Sequence, residues 1–330
     1  MPVGVRQRAA GVSYDVSGDG GMRFTNLKGN FRKPEAVRVL QWLLGWHSEK
    51  YPRSPATGVA VPFVQNDGKL LRHSRRDTLT WIGQASFLVQ LGGTSLLIDP
   101  VLSPKLGWVK RNSPPGLDWH TLPDIDIVLI THNHRDHMDA PTLKKLGKDP
   151  VYVVPKGLGY WFYRNGMRRV VEMTWWQEEE IQGVFITFVP AEHWSRRSLT
   201  DLNTSWWGGF VMQRNGLSLY HAGDSGWFDG FAEIGRRVTN LHMAMLPIGA
   251  YAPRWFMSPQ HISPDEAVKA FIASGAKHLF PMHWGTFKLS DEALDDPPKA
   301  LRLAWEAANL PSAAMRLPPL GETLFLSRFA

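Results

Sequence analysis

From Asp77 onward, short apolar runs alternate with Gly-, Pro- and Asn-containing punctuation, the texture of strands separated by turns. The runs predict strands at Thr78–Ile82, Ser86–Leu91, Thr94–Ile98, Ile125–Thr131, Val151–Val154, Val184–Val189, Gly208–Gln213, Leu217–His221, His242–Leu246 and His278–Met282. Helical spacing predicts helices at Pro141–Gly147, Phe228–Arg237, Pro264–Ser274 and Asp291–Ala308. Many strands with few helices imply an α/β sandwich, not a barrel of strict βα repeats. Before Asp77 the pattern differs. Residues 1–33 are Gly- and Arg-rich with weak periodicity and read as an extended arm. Glu35–Trp46, after Pro34, reads as one apolar helix. Its apolar positions Ala36, Val39, Leu40, Leu43 and Trp46 are widened by Val37, Trp42 and Leu44, so it is either buried or lies at a lipid surface; we expect burial. Residues 47–76, with Pro52, Pro55 and Pro62, read as an irregular connection. The division is therefore an extension over 1–76 and one domain over 77–330.

Composition narrows the chemistry. The chain of 330 residues has no cysteine, which excludes disulfide scaffolds, zinc fingers, cysteine nucleophiles and iron–sulfur clusters. Any metal must be held by His, Asp and Glu. No apolar run approaches the ~20 residues of a membrane span. The start carries Arg6 and Arg8 but no apolar segment of a secretory signal, so a cytoplasmic protein is expected. The net charge of +7 sits at one end: residues 1–76 hold thirteen Lys and Arg against five Asp and Glu. Such a basic lobe meets nucleic acid, an anionic membrane or a second subunit in a homodimer, or is a solvated arm.

The decisive segment is His132-Asn133-His134-Arg135-Asp136-His137, directly after a predicted strand. Alternation puts His132 and His134 on one side of an extended chain, and Asp136 and His137 follow as the chain turns toward the next helix. One loop can thus serve two adjacent metals.

His-x-His-x-Asp-His resembles the signature of the metallo-β-lactamase superfamily. That resemblance implies an αββα sandwich with metals at the sheet edge, with further ligands on later loops. His193, Asp224 and His283 match them in order, each after a predicted strand. The implied site places His132, His134, His193 and Asp224 around one zinc, and Asp136, His137, Asp224 and His283 around the other. Asp224 bridges, and a hydroxide between the two Zn2+ ions is the nucleophile. Imidazoles and carboxylates without thiolate suit zinc, and His134 at the second position is unlike the oxygen-reducing di-iron branch.

Thr80-Trp81-Ile82-Gly83, Ile98-Asp99-Pro100-Val101, Trp175-Trp176, His193-Trp194-Ser195-Arg196-Arg197, the stretch from Ile248 to Met257, Gln260-His261 and His283-Trp284-Gly285-Thr286-Phe287 look like the N-acyl-phosphatidylethanolamine-hydrolysing phospholipase D group. The likeness implies a binuclear phosphodiesterase of lipid metabolism releasing N-acylethanolamine and phosphatidic acid. Relatives often carry His where this chain has Gln84. Asp136, as a ligand, and His261, as proton donor to the leaving group, are the catalytic candidates. Arg254 is the candidate phosphate contact and Tyr251 a pocket residue. Asp139 reads as support for a ligand. His221 is left out of the ligands, and His242 and His278 read as core. The partner is then a phospholipid or other phosphodiester, with peripheral contact to an anionic membrane and no nucleic acid expected. Alternatives are a lactonase or soluble phosphodiesterase of the same fold, and a nucleic-acid-processing enzyme, although no nuclease motif accompanies the shared one.

Overall fold

The computed structural model describes residues 14–16, 22–27, 36–52, 54–72 and 76–329. Its strands and helices in chain order are β1 (Tyr14–Val16), β2 (Met22–Phe24), α1 (Ala36–Leu43), β3 (Thr78–Gly83), β4 (Ser86–Leu91), β5 (Thr94–Ile98), β6 (Lys105–Leu106), β7 (Val109–Lys110), β8 (Ile127–Leu129), α2 (Ala140–Leu146), β9 (Val151–Pro155), α3 (Gly159–Arg164), β10 (Val170–Met173), β11 (Glu178–Ile181), β12 (Val184–Val189), β13 (Gly209–Arg214), β14 (Leu217–His221), α4 (Gly230–Arg237), β15 (Met243–Pro247), α5 (Arg254–Met257), α6 (Pro264–Ser274), β16 (His278–Met282), α7 (Asp296–Ala307) and β17 (Thr323–Phe325).

β4 and β5 are joined by Gly92-Gly93, both at positive φ, with Leu91 opposite Thr94. Such a two-residue turn matches the twist of the flanking strands, and glycine meets its backbone requirement without strain. The two strands enter a seven-stranded sheet ordered β10-β9-β8-β5-β4-β3-β17; a six-stranded sheet is ordered β11-β12-β13-β14-β15-β16. Period-2 alternation separates two cores. Leu79, Trp81, Phe87, Val89 and Leu96 face the second sheet and its Ile186, Phe188, Phe210 and Phe280. Ile82, Leu88, Leu97, Val128 and Ile130 face the opposite way, where Leu143 of α2 and Phe162 of α3 cover them. On the far side, α6 packs against β15 with α4 and α7 beside it. The expected αββα sandwich is the observed one. α6 is framed by a capping box of Ser263 with Glu266 and ends at Gly275 in the left-handed conformation. Among the described residues no helix is long and apolar enough to cross a membrane.

Topology positions the site. β3, β5 and β8 run in one direction, and β12, β14, β15 and β16 share one direction in the second sheet. The ligand-type residues lie on the loops at the C-terminal ends of these strands.

Several elements escaped the pattern. β11 holds three successive glutamates and is a sheet edge, where no second sheet side needs apolar residues. β17 and the β6–β7 hairpin are too short for periodicity to register. Residues 47–76 are largely irregular as expected, yet Leu71 is fully buried.

Two expectations for the N-terminal part change. The arm read over 1–33 includes the β1–β2 hairpin, and its end enters the domain. Phe24 packs edge-on against Trp206, and the buried Asn26 side-chain oxygen accepts hydrogen bonds from Trp207 Nε1 (2.9 Å) and the His193 backbone N–H (3.2 Å). The rest of that arm lies outside the described residues. The helix read over Glu35–Trp46 is described at Ala36–Leu43, and the burial expected of it is not found: Val37, Leu40 and Leu43 are mostly exposed. Only one side is anchored, by Trp42 stacked on Phe256 at 5.1 Å and donating to Asp291.

Replacing Asn26 by Ala leaves the His193 amide without its acceptor. Urea unfolding should show a loss of about 1–3 kcal/mol, the cost of an unsatisfied buried donor. An unchanged midpoint would show that this contact adds nothing to the fold.

Candidate metal centre

The loop after β8 brings His132, His134, Asp136 and His137 to the sheet edge. Loops after β12, β14 and β16 bring His193, Asp224 and His283. Two groups form: His132, His134, His193 and Asp224; and Asp136, His137, Asp224 and His283, with the ligand atoms of each within 4.8 Å of one another. In the first, His134 Nδ1 lies 2.9 Å from His132 Nε2 and 3.1 Å from His193 Nε2. In the second, Asp136 Oδ2 lies 3.1 Å from His283 Nε2, and His137 Nε2 lies 3.1 Å from Asp224 Oδ2. That same Asp224 oxygen is 3.9 Å from both His132 Nε2 and His193 Nε2, so one carboxylate faces both groups.

Outer contacts orient the imidazoles. Asp99 Oδ2 accepts from His137 Nδ1 at 2.7 Å and from the Thr131 hydroxyl at 2.6 Å; Oδ1 accepts from the Thr131 N–H. The His137 proton is thus held on Nδ1 and its Nε2 lone pair points inward. His193 Nδ1 donates likewise to the Gln260 carbonyl at 3.0 Å. The Gln84 amide donates to Asp136 Oδ2 at 3.1 Å. Gln84, Asp99, Ala250 and His283 all have positive φ. Non-glycine residues adopt this conformation at a cost, and it persists where surrounding structure dictates it.

The electrostatics divide the groups. Burial, then neighbouring imidazoles, holds His132 well below its ordinary pKa; burial dominates at His193 in the same direction and pushes His134 down to about 4. These three are neutral nitrogen donors at pH 7. Burial opposes charge in the second group too, but the carboxylates outweigh it. Asp224 and its neighbours raise His283 to about 9 and His137 well above its usual value. Asp136 and Asp224 are held below the usual carboxylate range by the facing histidines, against burial. No Lys or Arg pairs with Asp99, Asp136 or Asp224 among the described residues. Buried carboxylates without a fixed cation, among convergent imidazole nitrogens, fit divalent cations.

Residues 94–284 match the β-lactamase superfamily domain. The chain belongs to this superfamily. It is 35% identical over 257 residues to the mitochondrial N-acyl-phosphatidylethanolamine-hydrolysing phospholipase D of Saccharomyces cerevisiae, covering 74% of this chain and 55% of that protein. It is 35% identical over 228 residues to N-acyl-phosphatidylethanolamine-hydrolysing phospholipase D 1 of Caenorhabditis elegans, covering 64% of each. The chain thus spans somewhat over half the length of these relatives. The structure of Igni18, a metallo hydrolase of Ignicoccus hospitalis, superposes with a TM-score of 0.56 at 23% identity, over 75% of this chain and 97% of that one. The protein is a metal-dependent hydrolase of the metallo-β-lactamase fold.

In this superfamily member His261 joins the centre: its Nδ1 is buried, lacks a hydrogen bond and lies 3.8 Å from Asp224 Oδ2. Tyr251 and Arg254 are not brought to the two groups. The Tyr251 hydroxyl donates to Asp296, while Arg254 pairs with Glu266 at 2.7 Å and donates to the His261 carbonyl. Asp139 accepts from Ser103 and Thr142 at the start of α2 and touches no ligand-type residue. His221 donates to the Ala85 carbonyl. Sequence reasoning gave no role to Asp99, Asn26 or Glu292, whose carboxylate gathers the N–H groups of Ala250, Tyr251 and Ala252. For Asp99 a signal existed: an acid directly after the apolar strand Thr94–Ile98.

Elemental analysis of protein purified without chelator tests the centre. Asp224→Ala should empty both groups and His283→Ala only the second; equal losses would deny Asp224 its shared role. Asp99→Asn should lower metal affinity about 10–100-fold, as loss of a ligand-orienting partner does. Unchanged affinity would show that Asp99 serves only the backbone.

Proposed function

We propose that this hydrolase is a zinc-dependent phosphodiesterase of the phospholipase D type, releasing N-acylethanolamine and phosphatidic acid from N-acyl-phosphatidylethanolamine. The observation that carries the reading is the 35% identity to two proteins named for that reaction. The site chemistry agrees with it. When bound, two zinc ions supply charge neutralisation at phosphoryl oxygens and activation of water. Four imidazoles and two carboxylates make the donor set, with Asp224 common to both halves and Asp136 completing the second.

His261 is the proton-moving group. Burial pushes its pKa down to about 4, so it is neutral at pH 7. A neutral imidazole takes a proton from the attacking water as the phosphorus–oxygen bond forms. It then delivers that proton to the ethanolamine oxygen as the ester bond breaks. A phosphodiester anion beside it raises its basicity during the step. Arg254 holds the segment carrying His261 through its bond to the His261 carbonyl, and Tyr251 holds the same loop to α7. The reading includes peripheral contact with an anionic membrane, supported by the exposed apolar side chains of α1 and the basic residues before Asp77.

Purified protein should release N-acylethanolamine from N-acyl-phosphatidylethanolamine in mixed micelles; absence of product from zinc-loaded protein would overturn the assignment. His261→Ala should lower kcat by roughly 10²–10⁴-fold with metal content unchanged. The loss should shrink for a nitrophenyl phosphodiester, whose leaving group needs no proton. Equal losses on both substrates would move His261 to a positioning role.

A further inference from the structure

Four loops around the metal centre end in exposed apolar side chains. The loop after β5 projects the β6–β7 hairpin, which carries Trp108 at its tip with 93% of its surface exposed. The loop after β12, having delivered His193, carries Leu199 with 89% exposed. The loop after β14, having delivered Asp224, carries the partly exposed Trp227. The segment after β15, which leads to His261, supports α1 through the Trp42–Phe256 stack. That helix presents Val37, Leu40 and Leu43, with Leu44 and Trp46 beyond its end.

These features share one side of the molecule because they leave strands that share a direction, and the ligands of both sheets meet there. Their roots confirm it. Arg111 joins the β7 end to the segment after His283 by lying 5.2 Å from the Phe287 ring. Arg197, two residues before Leu199, donates to the carbonyls of Asn133 and Met138 on either side of the metal motif.

Charge accompanies the tips. Segments 36–46, 105–110 and 196–200 contain Arg38, Lys105, Lys110, Arg196 and Arg197 and no Asp or Glu. Arg135 is exposed between His134 and Asp136. A shape-complementary protein partner calls for a contiguous apolar patch with a polar rim. Here, separate apolar tips stand apart with cations beside them. That arrangement suits a soft, negatively charged interface which each tip enters independently.

We propose that this edge is a docking face for anionic bilayers, with the Trp108 hairpin and the Leu199 loop as insertion points beside α1, setting the metal centre against the lipid surface. The proposal goes beyond the phospholipase reading and does not need it, because docking to lipids that are not substrates suffices.

The test is sedimentation of the full chain with vesicles of phosphatidylcholine and phosphatidylglycerol at low salt. Wild type should pellet, and added salt should weaken the binding as screening grows. The double variant Trp108→Ser, Leu199→Ser should partition at least about tenfold more weakly, the scale for withdrawing a large apolar side chain from lipid. Phe185→Ser, an exposed site at the start of β12 on the opposite edge, should bind like wild type. Metal content and hydrolysis of a soluble phosphodiester should be unchanged in all variants. Wild type remaining in the supernatant, or the double variant pelleting normally, would overturn the proposal. A dimer that dissociates in the double variant while vesicle binding persists would assign the tips to a second copy and overturn it equally. Failure to cleave N-acyl-phosphatidylethanolamine would leave this measurement standing.

Discussion

The structure depends on a charge imbalance. Asp99, Asp136 and Asp224 are carboxylates drawn into a desolvated pocket, and histidines face them where a Lys or Arg would otherwise stand. An uncompensated buried carboxylate is costly, and protonated histidine balances it only while the site lacks metal. Divalent cations relieve the imbalance and use the neutral nitrogens of His132, His134 and His193. Asp224 carries the most of this load because a single side chain faces both groups. The same economy of ligands explains why neighbouring residues are held so firmly: Asp99 fixes the His137 tautomer, the Gln260 carbonyl fixes His193, and Gln84 donates to Asp136.

Those requirements reach into the backbone. Gln84, Asp99, Ala250 and His283 occupy a conformation that glycine adopts freely and other residues do not. Each lies where a strand ends and its loop turns at the metal edge. Paired strands over-determine these positions and can hold the strain, so the sandwich both supplies the ligands and keeps them aimed.

The N-terminal part contributes more than its sequence texture suggests. Asn26 supports the loop of His193. Glu49 accepts from the N–H groups of Arg254 and Trp255, fixing the start of α5 ahead of His261. Segments far apart in the chain thus converge behind one catalytic edge, while the outward side of α1 keeps its apolar residues in solvent.

Local patterning determined a good deal by itself. Strands such as Ser86–Leu91, Val184–Val189 and His278–Met282 are legible because burial on a sheet imposes a period or an unbroken apolar run. The ligand-type residues are legible because four of them crowd into one turn, and the αββα expectation followed from the resemblance they carry. Tertiary structure decided the rest. Whether Arg254 meets phosphate or Glu266 depends on the start of α6, twelve residues away. The role of Asp99 depends on His137 across two neighbouring strands. The fate of the apolar helix depended on how much surface the sandwich offered it, and that surface accepts Trp42 but leaves Leu40 and Leu43 in solvent. Periodicity records what a segment needs from its surroundings; only the packed fold decides which surroundings it receives.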